Sequence, residues 1–180
     1  MTTTTITPVK RTVLGALFAA LCVVLPIAFH AIPNAGSIFL PMHIPVLLCG
    51  LVCGWPYGLV CGLLGPFLSS LLTGMPPAAM LPSMMVECAV YGAVSGIVLK
   101  TVRTGNTTRD LYIALVIAMI AGRVVSGIAK ALILSPGITM SAWVAASFVT
   151  ALPGILVQLV VIPLLVNLLI RIRMIPKRYS

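Results

Sequence analysis

Six apolar segments divide the chain and constrain its fold more than any other feature. They cover residues 12–29, 43–55, 57–73, 81–99, 111–134 and 150–170. A helix needs about 20 apolar residues to cross the roughly 30 Å hydrocarbon core of a bilayer. Hydrophobic residues make up 61% of the chain and charged residues 7%, far from the composition of soluble domains. We therefore expect an all-α integral membrane protein, a six-helix bundle in which residues 1–180 form a single transmembrane domain.

The second and third segments are short and are separated only by Pro56. They are compatible with a tilted hairpin or with a re-entrant pair. The sequence Gly-Leu-Val-Cys-Gly occurs at 50–54 and again at 58–62, on either side of this break. The repeat predicts a tightly closed hairpin, because small residues four apart allow two helices to approach closely.

Basic residues predict the orientation of the bundle. Apart from two cations inside the fifth segment, they form three clusters: Lys10 and Arg11; Lys100, Arg103 and Arg109; and Arg171, Arg173, Lys177 and Arg178. With six spans, all three clusters fall on one side of the membrane. The positive-inside rule then places both termini in the cytoplasm. The net charge of +9 is thereby explained by topology and by contact with anionic membrane lipid, and no nucleic acid partner is predicted.

The first segment has an alternative interpretation as a cleaved signal peptide. Lys10 and Arg11 precede an apolar stretch that ends near the small residues Ala28 and Ala31, which is the order of features in such a peptide. The stretch is longer than usual, however. Cleavage would leave five spans and place one basic cluster outside.

Three charged side chains, Glu87, Arg123 and Lys130, lie inside these apolar segments. A charge at mid-bilayer costs at least about 2.5 to 3.5 kcal/mol, so such residues usually face a bundle interior or a cavity. At 1.5 Å of rise per residue, all three are expected in the outer half of the bilayer. Ser83 and Tyr91, four residues before and after Glu87, add polar groups on the same helix face. Gln158, on the sixth segment, adds another at a similar depth.

These charges have two interpretations. In the first, Glu87 forms an internal ion pair with one cation while Lys130 extends outward along its aliphatic stem. In the second, they line a pocket open to the outside. Two cations facing one carboxylate favour the second, because a surplus buried charge is unfavourable unless another group neutralises it. The predicted ligand is a small solute with an anionic or strongly accepting moiety and a donor for Glu87.

Five cysteines, at positions 22, 49, 53, 61 and 88, fall inside the apolar segments. There they are expected to act as small apolar residues. No metal and no cofactor is predicted. Small residues also recur four apart, at Ala16 and Ala20, Gly50 and Gly54, Gly58 and Gly62, and Gly92 and Gly96. Each such stripe is compatible with internal packing or with docking of another subunit.

Several of these motifs, taken in order, resemble the substrate-binding S components of energy-coupling factor (ECF) vitamin transporters. The resemblance rests on the size, on six spans with both ends inside, and on short motifs. These are Ala-Leu-Phe-Ala-Ala at 16–20, Met-His-Ile-Pro-Val-Leu-Leu-Cys-Gly at 42–50, Gly-Trp-Pro-Tyr-Gly at 54–58, Leu-Thr-Gly-Met-Pro-Pro at 72–77, Glu87 with Tyr91-Gly92, Gly122-Arg123, and Pro153-Gly154 through Gln158.

The resemblance implies a subunit that binds one micronutrient near the outer face of a prokaryotic plasma membrane and is not an enzyme. Loops after helices 1, 3 and 5 would cover the pocket, which places His43 and Trp143 among the candidate binding residues. A separate transmembrane coupling subunit and two cytoplasmic ATPases would supply the energy. Ala16 and Ala20 match the small-residue surface that docks on the coupling subunit.

The sequence is compatible with several classes of substrate. A pocket with net positive charge favours a carboxylate such as pantothenate, whereas Glu87, Tyr91 and Gln158 suit a nucleobase, a nucleoside or a pyridoxine-like ring equally well. Two other functions compete. An intramembrane enzyme would need a nucleophile with a base, which the sequence does not provide. A self-sufficient secondary transporter or channel for a small polar solute is the stronger alternative.

Overall fold

Helices account for nearly all of the described structure. The computed structural model describes residues 6–29, 38–131 and 145–176. Six α-helices are described over their full length, and a short π-helical segment, Ala145–Thr150, precedes the last one. They are α1 (Pro8–Phe29), α2 (His43–Cys53), α3 (Trp55–Thr73), α4 (Leu81–Thr101), α5 (Thr107–Ala129) and α6 (Leu152–Arg171). These three ranges contain no β-strand, so the all-α prediction is confirmed for them.

Five of these helices have the length and composition of membrane spans. They are α1, α3, α4, α5 and α6, which are 19 to 23 residues long. Helix α2 is equally apolar but has only 11 residues, about 16 Å of helix. It is too short to cross a bilayer by itself. Five of the six predicted spans are therefore long and apolar enough to cross a membrane, and the count of six stays a prediction.

The break between α2 and α3 lies at Gly54, and the expectation that Pro56 separates them is wrong. Gly54 has φ 96° and ψ 168°, a conformation that is open essentially to glycine alone. Pro56 is instead the second residue of α3. Proline is tolerated in the first turn of a helix, because the backbone N–H it lacks has no intrahelical acceptor there. A single glycine thus redirects the chain, and α3 starts at once.

Helix α2 occupies the centre of the bundle. Ten of its 11 residues are buried, and it packs against α1, α3, α4 and α6. A helix that is apolar on all sides is expected in such a central position. Helix α4 is its main neighbour and also packs extensively against α3 and α5.

Glycines set the close approach of α2, α3 and α4. A Cβ added to Gly58 would overlap the carbonyl oxygen of Gly92, and one added to Gly92 would overlap the backbone of Gly58. A Cβ on Gly50 would also meet the carbonyl oxygen of Gly92. Except at Gly54, which forms the junction of α2 and α3, the internal-packing interpretation of the glycine stripes is confirmed, because backbone atoms of the same chain fill the space beside the other glycines.

Contacts at the helix ends show which ends lie together. Tyr57, at the start of α3, lies 3.3 Å from Thr12 of α1 between the two hydroxyl oxygens. Gly96, near the end of α4, contacts the backbone of Trp55. At the opposite end, Gly154 of α6 contacts the backbone of Ile38 and Phe39, just before α2. One end, which we call the basic end, therefore carries Lys10, Arg11, Lys100, Arg103, Arg109, Arg171 and Arg173. Its assignment to the cytoplasm stays a prediction.

Candidate functional site

A buried carboxylate–phenol pair on α4 forms the centre of the candidate site. Glu87 and Tyr91 are four residues apart and so lie on one helix face. The hydroxyl of Tyr91 donates a hydrogen bond to Oε1 of Glu87 at 2.9 Å. Tyr91 is fully buried, and the Glu87 side chain is 13% exposed. The phenol therefore uses one acceptor position of the carboxylate and leaves others available.

His43 joins this pair from the start of α2. Its Nε2 lies 3.8 Å from Oε1 of Glu87. Its ring stands at 60° to that of Tyr91, with the two centroids 5.2 Å apart. The imidazole is 1% exposed. As the first residue of α2, it brings the segment that leads into that helix close to the carboxylate.

Arg123 reaches the same cluster from α5. Its side chain is 4% exposed, and its charge acts electrostatically on both Glu87 and Tyr91. The neighbouring Gly122 makes this approach possible, since a Cβ there would overlap the Tyr91 ring. A cation, a carboxylate, an imidazole and a phenol from three helices are thus brought together.

Gln158 lies on the buried face of α6. It is 1% exposed, one helical turn beyond Gly154, which contacts the segment leading into α2. Gln158 is six residues inside the start of its helix, Glu87 six inside the start of α4, and Arg123 six before the end of α5. All three therefore lie about 9 Å along a helix axis from the same end of the bundle.

Two of these side chains have buried polar atoms with unmet hydrogen-bonding capacity. Within the described residues, Nδ1 of His43 and both Oε1 and Nε2 of Gln158 have no hydrogen-bond partner. A buried polar group left in this state costs about 1–3 kcal/mol. Groups of this kind are rare in native proteins and call for a specific explanation. A polar guest among α2, α4, α5 and α6 would provide the missing partners.

The remaining predicted site residues have different environments. Lys130, seven residues beyond Arg123, is half-buried, and among the residues described its side chain makes no hydrogen bond or ion pair. Ser83 is buried, and its hydroxyl donates to the carbonyl of Met80 at 2.9 Å, so its proton is bound to the residue that precedes α4. Trp143 lies outside the described residues. Of the three predicted charges, the structure therefore brings together Glu87 and Arg123.

Sequence reasoning did not identify His43 as the neighbour of Glu87. It placed His43 at the boundary between the first outer loop and the second apolar segment, and the structure shows it buried as the first residue of α2. A usable signal was present, because the ionisable side chain of His43 begins an apolar segment. The other acidic residue of the chain, Asp110, was also missed as a buried group. It accepts hydrogen bonds from the backbone N–H and the hydroxyl of Thr104 at the basic end, whereas the candidate site lies toward the opposite end of the bundle.

The chain matches one known protein family over most of its length. The family model of the ECF transporter substrate-specific component matches residues 10–166, which include every candidate site residue. The chain belongs to this family. It is an S component, the substrate-binding subunit of an ECF importer, and a multi-pass membrane protein. The resemblance identified from the motifs is thereby confirmed. No curated protein and no solved structure matches the chain.

The S component presents small residues on the outside of α1. Ala16 and Ala20 are both exposed, whereas Leu14, Phe18 and Cys22 of the same helix are buried. The alanine stripe therefore points away from the bundle, unlike the glycine stripes of α2, α3 and α4. It is available to a partner within the membrane.

The cysteines of the S component lie in the core as free thiols. All five are buried and none forms a disulfide. Cys22 of α1 and Cys61 of α3 approach to 3.9 Å between sulfur atoms. Within the described residues, no group of three or more His, Cys, Asp or Glu side chains has a geometry that could hold a metal ion. The thiols fill space between closely packed helices, as small apolar residues do.

Proposed function

We propose that this S component captures a vitamin or vitamin-like micronutrient in a pocket around Glu87 and passes it to the rest of an ECF importer. The observation that carries the proposal is the set of buried polar atoms on His43 and Gln158 that have no hydrogen-bond partner in the described structure. The hydrocarbon core of a bilayer holds no water that could pair with these atoms. A bound solute would satisfy them.

The charges around the site suggest which solute fits. Arg123 offers a fixed positive charge and planar N–H donors, and Glu87 offers acceptor oxygens to a donor on the solute. A carboxylate such as pantothenate is favoured, and a nucleobase, a nucleoside or a pyridoxine-like ring also fits these groups. The proposed binding residues are Glu87, Arg123, Lys130, Tyr91, Ser83, Gln158, His43 and Trp143.

The proposed pocket opens to the outside of a prokaryotic plasma membrane. The basic end of the bundle carries most of the Lys and Arg residues, and cytoplasmic ends are enriched in such residues. The site lies toward the opposite end, so it would face outward, with both termini in the cytoplasm and α2 completing a six-helix bundle.

The proposed partners are an ECF transmembrane coupling subunit and two cytoplasmic ATPases. Support for an intramembrane partner comes from the exposed Ala16 and Ala20 on α1. A smooth helix face allows a close and reversible contact without burying unpaired polar groups. Transport would then require the complete complex, and vesicles that contain this chain alone would show binding without uptake.

Ligand-binding calorimetry on the purified full chain tests the site. The solute is first identified by mass spectrometry of small molecules that co-purify with the protein. Glu87→Gln and Arg123→Ala should each weaken its binding by about 10-fold or more, because each change removes a charged partner. Arg109→Ala, at the other end of the same helix as Arg123, is the matched control and should bind normally. Unchanged affinity in both folded site variants would remove these residues from the pocket.

A further inference from the structure

We infer that the basic end of α5 binds an anionic phospholipid. The phosphate lies beside Arg109, and one acyl chain lies in a groove that follows Arg109 along the outside of the helix. The inference goes beyond the proposed function, because it assigns a lipid ligand to the end of the bundle opposite Glu87.

An ordered turn between α4 and α5 presents the cations of this site. The backbone N–H and the hydroxyl of Thr104 donate to Oδ1 of Asp110, at 2.9 and 2.7 Å. The side chain of Asn106 accepts hydrogen bonds from two backbone N–H groups in the first turn of α5, which caps the helix. Side chains of the turn thus bond to the start of α5 at two points, so Arg109 follows a well-defined stretch of backbone.

Three exposed cations lie in this turn or flank it, and no carboxylate of the chain neutralises them. They are Lys100, Arg103 and Arg109, and none of them forms an ion pair in the described part of the chain. The whole chain has two acidic side chains. Glu87 lies toward the other end of the bundle, and Asp110 is fully buried and hydrogen-bonded. The counter-charge must therefore come from outside the chain, and basic clusters beside a membrane helix attract anionic lipid.

An apolar groove begins one helical turn beyond Arg109. It has a volume of about 320 Å³ and is lined by Tyr112, Ile113, Val116 and Ile117. These positions follow Arg109 at intervals of three, four, seven and eight residues, so all five lie along one face of α5. The residues between them are buried against the bundle. The groove therefore lies on the side of α5 that faces away from the other helices.

A ligand that contacts both features must be anionic at one end and apolar along its length. Helix α5 has the length and composition of a membrane span, so the groove lies in hydrocarbon and Arg109 lies near its edge. Arg109 and Val116 are about 10 Å apart along the helix axis, less than the roughly 15 Å that the acyl chains of one leaflet occupy. Tyr112 lies between them, and a tyrosine at this depth is typical of the membrane interface. An anionic phospholipid has the required charge, shape and location.

Titration of the purified full chain with single lipids, followed by native mass spectrometry, tests the charge. Dioleoylphosphatidylglycerol should bind about 5-fold more tightly than dioleoylphosphatidylcholine, the gain expected from a basic residue near a membrane surface. Arg109→Gln should abolish this preference. Arg171→Gln is the matched control, because it removes the same charge from an exposed position at the basic end of α6, and it should retain the preference. Equal affinity of wild type for the two lipids, or equal loss in the two variants, would overturn the inference.

A second variant tests the groove. Val116 is 43% exposed, so Val116→Trp fills the groove without entering the core, and the melting temperature of lipid-free protein should stay near that of wild type. Its affinity for dioleoylphosphatidylglycerol should fall about 5-fold or more, because the ring takes the place of the acyl chain and removes its close contacts. Val160→Trp, at a 65% exposed position of α6, is the control and should bind the lipid as wild type does.

Glycerol phosphate separates a lipid site from a site for free phosphate. It carries the phosphate without acyl chains and should not compete with the phospholipid at millimolar concentration. Effective competition by glycerol phosphate, or unchanged lipid affinity in Val116→Trp, would show that charge alone attracts the anion and would overturn the inference. A wild-type dimer that Val116→Trp separates into monomers would assign this face of α5 to a second copy of the chain, and would also overturn it.

Discussion

His43 and Glu87 meet inside the bundle, with Nε2 of the imidazole 3.8 Å from Oε1 of the carboxylate. One residue begins the short central helix α2 and the other lies in α4. The contact therefore connects the chain segment before α2 to the buried carboxylate. A solute that bonds to Glu87 would lie within reach of His43. It could therefore affect the position of the chain segment before α2.

Coupling between His43 and Glu87 can be measured by a double-mutant cycle on ligand binding. We expect His43→Ala and Glu87→Gln each to weaken binding, and the double variant to weaken it by less than the sum, with a coupling energy of about 0.5 kcal/mol or more. The reason is that both residues contact one another and a common guest. A cycle between His43→Ala and Arg109→Ala serves as the control and should be additive. Additive behaviour of the first pair would separate His43 from the site.

Gly92 should tolerate no larger side chain. An added Cβ would overlap the backbone of Gly58 on α3, and backbone cannot move aside as a flexible side chain can. Gly92→Ala is expected to destabilise the bundle by about 1–3 kcal/mol, measured as a lower melting temperature of the purified protein. Gly15→Ala is the matched control, because its new Cβ would meet only the Tyr57 side chain, at 3.2 Å. Equal melting temperatures for the two variants would contradict the close helix crossing.

The alanine stripe of α1 should serve transport and not binding. Ala16→Trp or Ala20→Trp places a large ring on an exposed face and would block close approach of a coupling subunit. We expect unchanged solute affinity of the isolated S component and loss of uptake by cells that contain the complete importer. Val160→Trp, at a 65% exposed position of α6, should preserve both activities. Uptake that persists in both alanine variants would show that α1 docks no partner.

Cysteine labelling can determine which end of the bundle faces the cytoplasm. In a variant whose native cysteines are replaced by alanine, Thr108→Cys lies at the basic end and Ala78→Cys lies in the turn between α3 and α4; both positions are exposed. An impermeant maleimide added to intact cells should label only the cysteine at 78, because the basic end is expected inside. Labelling of position 108 from outside would reverse the orientation.

Helix positions were predictable because they follow from local composition. Residues 43–55 and 81–99 were expected as helices, and α2 and α4 begin at the predicted residues. The junction between α2 and α3 was misplaced, since Pro56 looks like a helix breaker in sequence. Its effect depends on whether it falls in a first turn, and that depends on the conformation of Gly54 before it.

Pairing within the site was less predictable. The expectation that Glu87 and Arg123 converge agrees with the structure, because helix rise and alternating direction place both at similar depth. The neighbour of Glu87 was not foreseen, since the side chain that approaches it, His43, comes from a different helix whose rotation about its axis is set by packing. Lys130, predicted from the same depth argument, is half-buried and forms no ion pair with Glu87 in the described structure.

By itself, the amino-acid sequence determined that this chain is a helical membrane protein, where its helices begin and end within a few residues, and to which family it belongs. These properties depend on hydropathy and on short motifs that are read along the chain. Only the tertiary structure decided that the glycine stripes face inward while Ala16 and Ala20 face outward, and that His43, Glu87, Tyr91 and Arg123 form one cluster. The rotation of each helix follows from which backbones can approach closely, a condition that involves residues from several helices at once.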